Sequence, residues 1–216
     1  QGTSLLDEIT FRIIPILWLA YIVNYIDRTN IAYAQLQMQD QLGFSNAVFG
    51  LGASMVFVGL ILFEIPSNLI LARVGMRKTL FRIMAMWGLC SAAMAFVTTP
   101  TQFYVLRFFI GAFEAGLSPG GLYFVTLWYP AARRAHANAL LFTAPSFASL
   151  ISGPIAAMFM TYFDGIAGFH GWQWMFLMEG LPSVVLAVIA LVMLPDRPDK
   201  ASWLTPNERE RVSDLL

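Results

Sequence analysis

Apolar residues fall into six long runs separated by short polar stretches, over residues 13–34, 48–71, 80–98, 101–128, 139–163 and 172–194. A helix rises about 1.5 Å per residue, so roughly 20 apolar residues cross the ~30 Å hydrocarbon layer of a bilayer. The pattern predicts six transmembrane helices, and the short Gly-, Pro- and Thr-containing connections predict that sequential neighbours pack antiparallel. A polar tail follows. Within it Thr205-Pro206-Asn207-Glu208 has the form of a capping box, with Thr at the N-cap, Pro at N1 and Glu at N3. The expected organisation is a six-helix bundle over residues 1–195, then the start of a cytoplasmic linker helix over 196–216.

The fourth run, TQFYVLRFFIGAFEAGLSPGGLYFVTLW, departs from a plain apolar span because it holds Arg107 and Glu114. A charge at mid-bilayer costs roughly 2.5 to 3.5 kcal/mol, while each Leu, Ile or Phe returns about 0.3 to 0.6. Charges kept at that cost mark a functional site by default. Their i, i+7 spacing puts them on one helical face with Gly111, Ala112, Ala115, Gly116, Gly120 and Gly121, small residues that admit a neighbouring backbone. We therefore expect this span to be an inner wall of the bundle, with its charged stripe towards a cavity.

Composition narrows the class. Hydrophobic residues make up 58% of the 216 and charged residues 12%, about half the charge of a soluble domain. The balanced net charge argues against a nucleic-acid partner. Basic residues cluster beside alternate connections: Arg12 before the first run, Arg73, Arg77, Lys78 and Arg82 between the second and third, Arg133 and Arg134 between the fourth and fifth. The opposite connections hold Asp40, Asp164 and His170, so both ends of the chain are expected in the cytoplasm. Asp27 and Arg28 interrupt the first run and five more follow it, which excludes a cleaved signal peptide. The chain opens on Gln1, so a native N-terminus is expected upstream. Cys90 reads as a small buried residue. His136 and His170 lie far apart in depth and read as no metal site. No hydrolase, zinc-protease or phosphate-loop motif is present, so neither an enzyme nor a cofactor is expected.

Depth follows from helical rise. Asp27 and Arg28 lie about 10 Å inside the outer end of the first span, Arg107 about 9 Å below the outer surface, and Glu114 about 20 Å below it. One carboxylate and two guanidiniums at one level neutralise one another and leave an arginine for an anionic ligand, which its planar fork binds bidentately. The bland alternative is a static internal salt-bridge network. Glu114 is too far from Arg107 to pair with it and needs a cation from another helix. Glu64, beside Pro66, is read as a gate or brace paired with Arg73 or Arg134, and Glu179 as structural.

These residues carry a family likeness. Ala72-Arg73-Val74-Gly75-Met76-Arg77-Lys78 resembles the signature between the second and third spans of the major facilitator superfamily, with Asn68 and Ala72 in place of its first Gly and its acid. Asn24-Tyr25-Ile26-Asp27-Arg28-Thr29-Asn30, Phe63-Glu64-Ile65-Pro66-Ser67-Asn68, Arg107 with Glu114-Ala115-Gly116, and Trp128-Tyr129-Pro130-Ala131-Ala132-Arg133-Arg134 resemble its anion:cation symporter branch, and bacterial tartrate-type permeases above all. The resemblance covers the whole chain as the N-terminal half of a twelve-helix transporter. It implies an all-α membrane protein of two inverted three-helix repeats in a bacterial inner membrane, whose second half lies beyond this sequence. It also implies proton coupling at Asp27 and Glu114, anion binding and charge pairing at Arg28 and Arg107, and a cavity-lining place for Tyr25. The expected function is import of a small organic anion by proton symport. The alternatives are an exchanger or facilitator without net proton flux, or a membrane sensor or scaffold that does not transport.

Overall fold

The computed structural model describes residues 2–216, with side chains from Leu5 onward. Eight α-helices account for most of it: α1 Gly2–Leu42, α2 Asn46–Val74, α3 Met76–Ala93, α4 Pro100–Glu114, α5 Leu117–Trp128, α6 Ala131–Tyr162, α7 Gly171–Met193 and α8 Pro206–Leu215. Six stretches are long and apolar enough to cross a membrane, with α4 and α5 together forming the fourth. The starts are capped as the sequence suggests. Ser45 accepts the Val48 N–H at 3.3 Å. Thr99 and Gln102 form a capping box with Pro100 behind it, and Thr205 and Glu208 form another.

The pairing of the spans shows the repeat. The first packs mainly on the fifth and the second on the fourth; the third packs on the sixth. The third also meets the fourth, and the first meets the sixth. Exchanging spans one to three for spans four to six leaves this pattern unchanged. Three spans per repeat also reverse direction across the bilayer, so the two halves are inverted copies.

Three expectations need correction. The fourth span is not one helix: α4 ends at Glu114, and Gly116 turns the chain at φ +93° before α5 begins. A Cβ there would lie 2.5 Å from the Ser67 hydroxyl oxygen, so the conformation and the close approach to α2 both require glycine. The connection between the second and third spans is only Gly75, and Arg77, Lys78 and Arg82 lie within α3 rather than in a loop. The helices α1 and α6 also run well beyond their apolar runs. The extra turns of α1 are held by packing, since Leu5, Leu6 and Ile9 are buried against Ala201, Leu204 and Val212 of the tail, and the Arg12 guanidinium lies 4.9 Å from the Trp203 ring centroid.

The interior has two main apolar cores with a polar belt between them, and a smaller cluster of Tyr21, Ile22, Ile26, Ala144 and Ala148 between α1 and α6. One, near the chain ends, includes Leu17, Leu80, Trp87, Leu117, Phe124 and Ala187; the other includes Ile31, Met94, Phe103, Ile110, Trp172 and Phe176. Several buried polar residues fall between the two, Asn24, Asp27 and Asn30 on α1, Ser91 on α3, Glu114 on α4, Glu179 and Ser183 on α7, whereas Thr79 of α3 and Arg107 of α4 lie among core residues.

Candidate functional site

The belt is built from three helices around α1. Its Asp27 is 2% exposed. One carboxylate oxygen accepts hydrogen bonds from the Ser91 hydroxyl of α3 and from Asn30 Nδ2, the latter at 3.2 Å. Asp27 thus has donors from its own helix and from a neighbour, but no ion pair among the described residues. The next residue, Arg28, reaches across to α4 and forms a salt bridge with Glu114. Glu114 is 3% exposed and the Arg28 side chain 38%. The carboxylate is therefore inside the protein and the guanidinium is at its edge.

Arg107 is buried one helical stretch away on α4. The charges of Asp27, Glu114 and Arg28 all reach it, yet its Nε has no hydrogen-bond partner among the described residues. The Nε of Arg28 is unpartnered as well. A guanidinium keeps five donors in a fixed fork, and donors left idle in a buried site are ready for an acceptor oxygen. Tyr25 shares the half-buried face of α1 with Arg28, three residues on.

The structure thus brings together Asp27, Arg28, Arg107 and Glu114, with Tyr25 beside them. It differs from the expected geometry in two respects. Glu114 takes its cation from another helix, as expected, but Arg28 thereby pairs across levels rather than with Asp27 at its own. The small-residue stripe beside Arg107 and Glu114 does not face a cavity. A Cβ on Gly111 would lie 1.9 Å from the Val56 carbonyl oxygen of α2, and one on Gly121 would lie 2.4 Å from Tyr21 Oη. That face is packed against helices, and the open edge of the cluster is at Arg28.

The three outlying candidates stay apart from this cluster. Glu64 is exposed on α2 and makes no ion pair with Arg73 or Arg134 among the described residues. Arg73 is exposed in the last turn of α2. Arg134 closes the end of α5, donating to the Tyr129 carbonyl at 2.9 Å and the Thr126 carbonyl at 3.3 Å. Of the residues that the sequence left unassigned, Ser91 and Asn30 belong to the site because they hold Asp27. Asn30 counted only as the last residue of the 24–30 motif, and Ser91, an uncharged residue in an apolar run, gave no signal. Glu179 is buried in the same belt, and its only signal was an acid inside a span.

Residues 17–215 match the family model described as Major Facilitator Superfamily. Among similar proteins, the "Putative metabolite transport protein NicT" of Pseudomonas putida is 48% identical over 99% of this chain and 49% of its own length. A "Putative tartrate transporter" of Agrobacterium vitis is 48% identical over 94% of this chain and 45% of its own length. This chain therefore spans about half the length of the curated relatives it matches. In fold it is similar to a bacterial homolog of the human lysosomal transporter Spinster in an inward-facing, occupied conformation, with a TM-score of 0.75 at 22% identity over 88% of this chain and 45% of that one.

Proposed function

The chain belongs to the Major Facilitator Superfamily, and from that premise we propose that it forms the N-terminal half of a secondary transporter that imports a small organic anion, a carboxylate such as tartrate, together with a proton. The observation that carries this reading is the Arg28–Glu114 pair: a buried carboxylate whose cation stands at the edge of the cluster, with Arg107 and its idle donor behind it. An incoming carboxylate offers Arg28 a bidentate partner in competition with Glu114. A buried carboxyl that loses its cation is costly as an anion, so release of Arg28 couples anion binding to proton uptake at Glu114. By reciprocity, protonation of Glu114 frees Arg28 and favours the anion. Asp27, held by Ser91 and Asn30, is the second acid of the coupling, and Arg107 keeps the pair of acids balanced. Relatives named for tartrate transport support the substrate class.

The working unit in this reading is this six-helix half joined to a second half of similar size, with the cavity between them and the two rocking about it. Long apolar faces of α2 and α6 stay exposed, Ile61, Ile65 and Leu150 among them, which supports contact with lipid and with a second half. Both ends of the segment are assigned to the cytoplasm from the distribution of basic residues.

The deciding experiment is uptake by the complete protein in proteoliposomes, over a panel of dicarboxylates and sugar acids, with and without an imposed proton gradient. Accumulation that follows the gradient is the expected result. Uptake that ignores the gradient would replace symport with exchange or facilitation, and no uptake of any panel member would favour a sensor or scaffold.

A further inference from the structure

With Arg28 holding the carboxylate of an organic anion, the rest of that ligand lies against the wall beside it. The neighbours of α1 show which wall this is. Asp27 points back to Ser91 of α3, Arg28 crosses to Glu114 of α4, and α6 and α7 pack along the remaining sides. Between α4 and α6 one stripe of α1 stays open, made of Tyr25, Arg28, Thr29, Ala32 and Tyr33, none of them buried. Its two edges differ. Arg28 leans towards α4. Tyr33, 39% exposed, leans on α6, where its hydroxyl lies 3.4 Å from that of Ser152. Five residues separate Arg28 from Tyr33, so they stand about 140° apart around the helix and about 7.5 Å apart along it.

The hydroxyls along this stripe are not equivalent. Thr29 donates back to the carbonyls of Tyr25 and Ile26, at 3.2 and 3.1 Å, so its proton is spent within α1. Ser152 is 3% exposed and donates to the Ser149 carbonyl at 3.3 Å. A hydroxyl has one proton, so in the contact between Tyr33 and Ser152 the phenol is the donor. The Tyr33 proton is thereby fixed on α6, and its oxygen keeps a lone pair for another partner. Gly153 adds no side chain over that oxygen, and even a Cβ there would lie 3.5 Å away. The two edges of the stripe therefore offer opposite chemistry. Arg28 has donors only, which suit a carboxylate; Tyr33 presents an acceptor, which suits an O–H.

We propose that Tyr33 is a specificity-determining residue that accepts a hydrogen bond from a hydroxyl of the ligand, and that Ser152 is the positioning residue that holds the phenol in the accepting orientation. The site then selects hydroxy acids over their deoxy counterparts: the carboxylate lies on Arg28 and a hydroxyl further along the ligand lies on Tyr33. Without Ser152 the phenol turns freely and donates to a second carboxylate as readily as it accepts from a hydroxyl.

The inference rests on the reading that this half binds a carboxylate at Arg28, and adds what that ligand carries beyond it. Calorimetric titration of the complete protein in detergent with two matched pairs tests it: tartrate against succinate, and gluconate against hexanoate. Wild type should bind the hydroxylated member several-fold more tightly. Tyr33→Phe should weaken that member about three- to tenfold, the size of one neutral hydrogen bond, and leave the deoxy member unchanged. Ser152→Ala should narrow the ratio in the same direction. If Tyr33→Phe weakens both members alike, Tyr33 only packs and the proposal falls. A wild type without the preference overturns it even if neither variant folds. An unchanged ratio in Tyr33→Phe overturns it while leaving the anion site at Arg28 intact. Binding of no member of either pair removes the anion reading, and this inference with it.

Discussion

Arg28 does not pair with Asp27, its neighbour in sequence; it crosses to α4 and pairs with Glu114. The two acids thereby acquire different dependencies. Glu114 relies on a cation that a ligand can take, whereas Asp27 relies on Ser91 and Asn30, which a ligand does not displace. The first substitution to make is Glu114→Gln, which mimics the protonated acid. It should leave Arg28 free, so anion binding and exchange survive while accumulation against a gradient is lost. Asp27→Asn should damage binding and accumulation together, because it also removes the charge that faces Arg107. Counterflow and gradient-driven uptake measured on the same proteoliposomes separate the two, and wild-type accumulation by Glu114→Gln would place the coupling proton elsewhere.

Arg28→Lys and Arg107→Lys keep a positive charge and lose the planar fork. If the arginines hold a carboxylate through two parallel hydrogen bonds, anion affinity should fall about tenfold or more in each, with membrane insertion intact. Arg28→Lys carries a further expectation, since Glu114 keeps a cation but a less well-oriented one. Calorimetric titration with tartrate measures the affinity. Values near wild type in both variants would reduce the arginines to charge balance.

Much of this site was legible in the sequence because a charge inside an apolar run has no cheap explanation. Asp27, Arg28, Arg107 and Glu114 were found on that ground alone. Their pairing was legible only in outline: Glu114 was expected to take a cation from another helix, but not which one. Depth from helical rise locates the backbone, but an arginine side chain spans more than a helical turn, and this let Arg28 reach Glu114 instead of its own level. The task of Asn30 and Ser91 was invisible because uncharged polar residues are ordinary in a span and only their hydrogen bonds to Asp27 show it. The break at Gly116 was hidden for the opposite reason: α4 and α5 are both apolar, so the hydrophobic pattern runs through a turn that only backbone geometry reveals. The fold was easier, since six apolar runs with short links leave few arrangements.

The crossing of α2 and α4 rests on two glycines. A Cβ on Gly111 would lie 1.9 Å from the Val56 carbonyl oxygen, and one on Gly59 would lie 2.2 Å from the Phe108 carbonyl oxygen. Backbone cannot swing aside as a side-chain tip can, so Gly111→Ala should destabilise the bundle by roughly 1 to 3 kcal/mol, the usual cost of overpacking. Gly153→Ala is the control, because its nearest neighbour would be Tyr33 Oη at 3.5 Å, an ordinary contact. Thermal unfolding of the complete protein in detergent should show a lower midpoint for Gly111→Ala and little change for Gly153→Ala. Equal midpoints would mean that the crossing is looser than its glycines suggest.

The tightest connection in the chain depends on a residue far from it. Only Gly75 separates α2 from α3, and it offers α3 no side chain for a cap. Asp196, in the segment after α7, fills that place: its Oδ1 accepts the Arg77 N–H at 2.8 Å. A helix N-terminus carries unsatisfied N–H groups and a partial positive charge, so a carboxylate is well placed there. The missing side chain at Gly75 also leaves the room, since a Cβ would lie 2.7 Å from Asp196 Oδ1. Asp196→Ala should therefore cost about 1 kcal/mol, typical of a lost N-cap, and Asp196→Asn much less, because the amide oxygen still accepts. Hydrogen exchange at Met76, Arg77 and Lys78 gives the local reading. Faster exchange in the alanine variant, with the asparagine variant close to wild type, is the expected pattern. Unchanged exchange in both would show that α3 holds its first turn by packing alone and that Asp196 adds nothing to it.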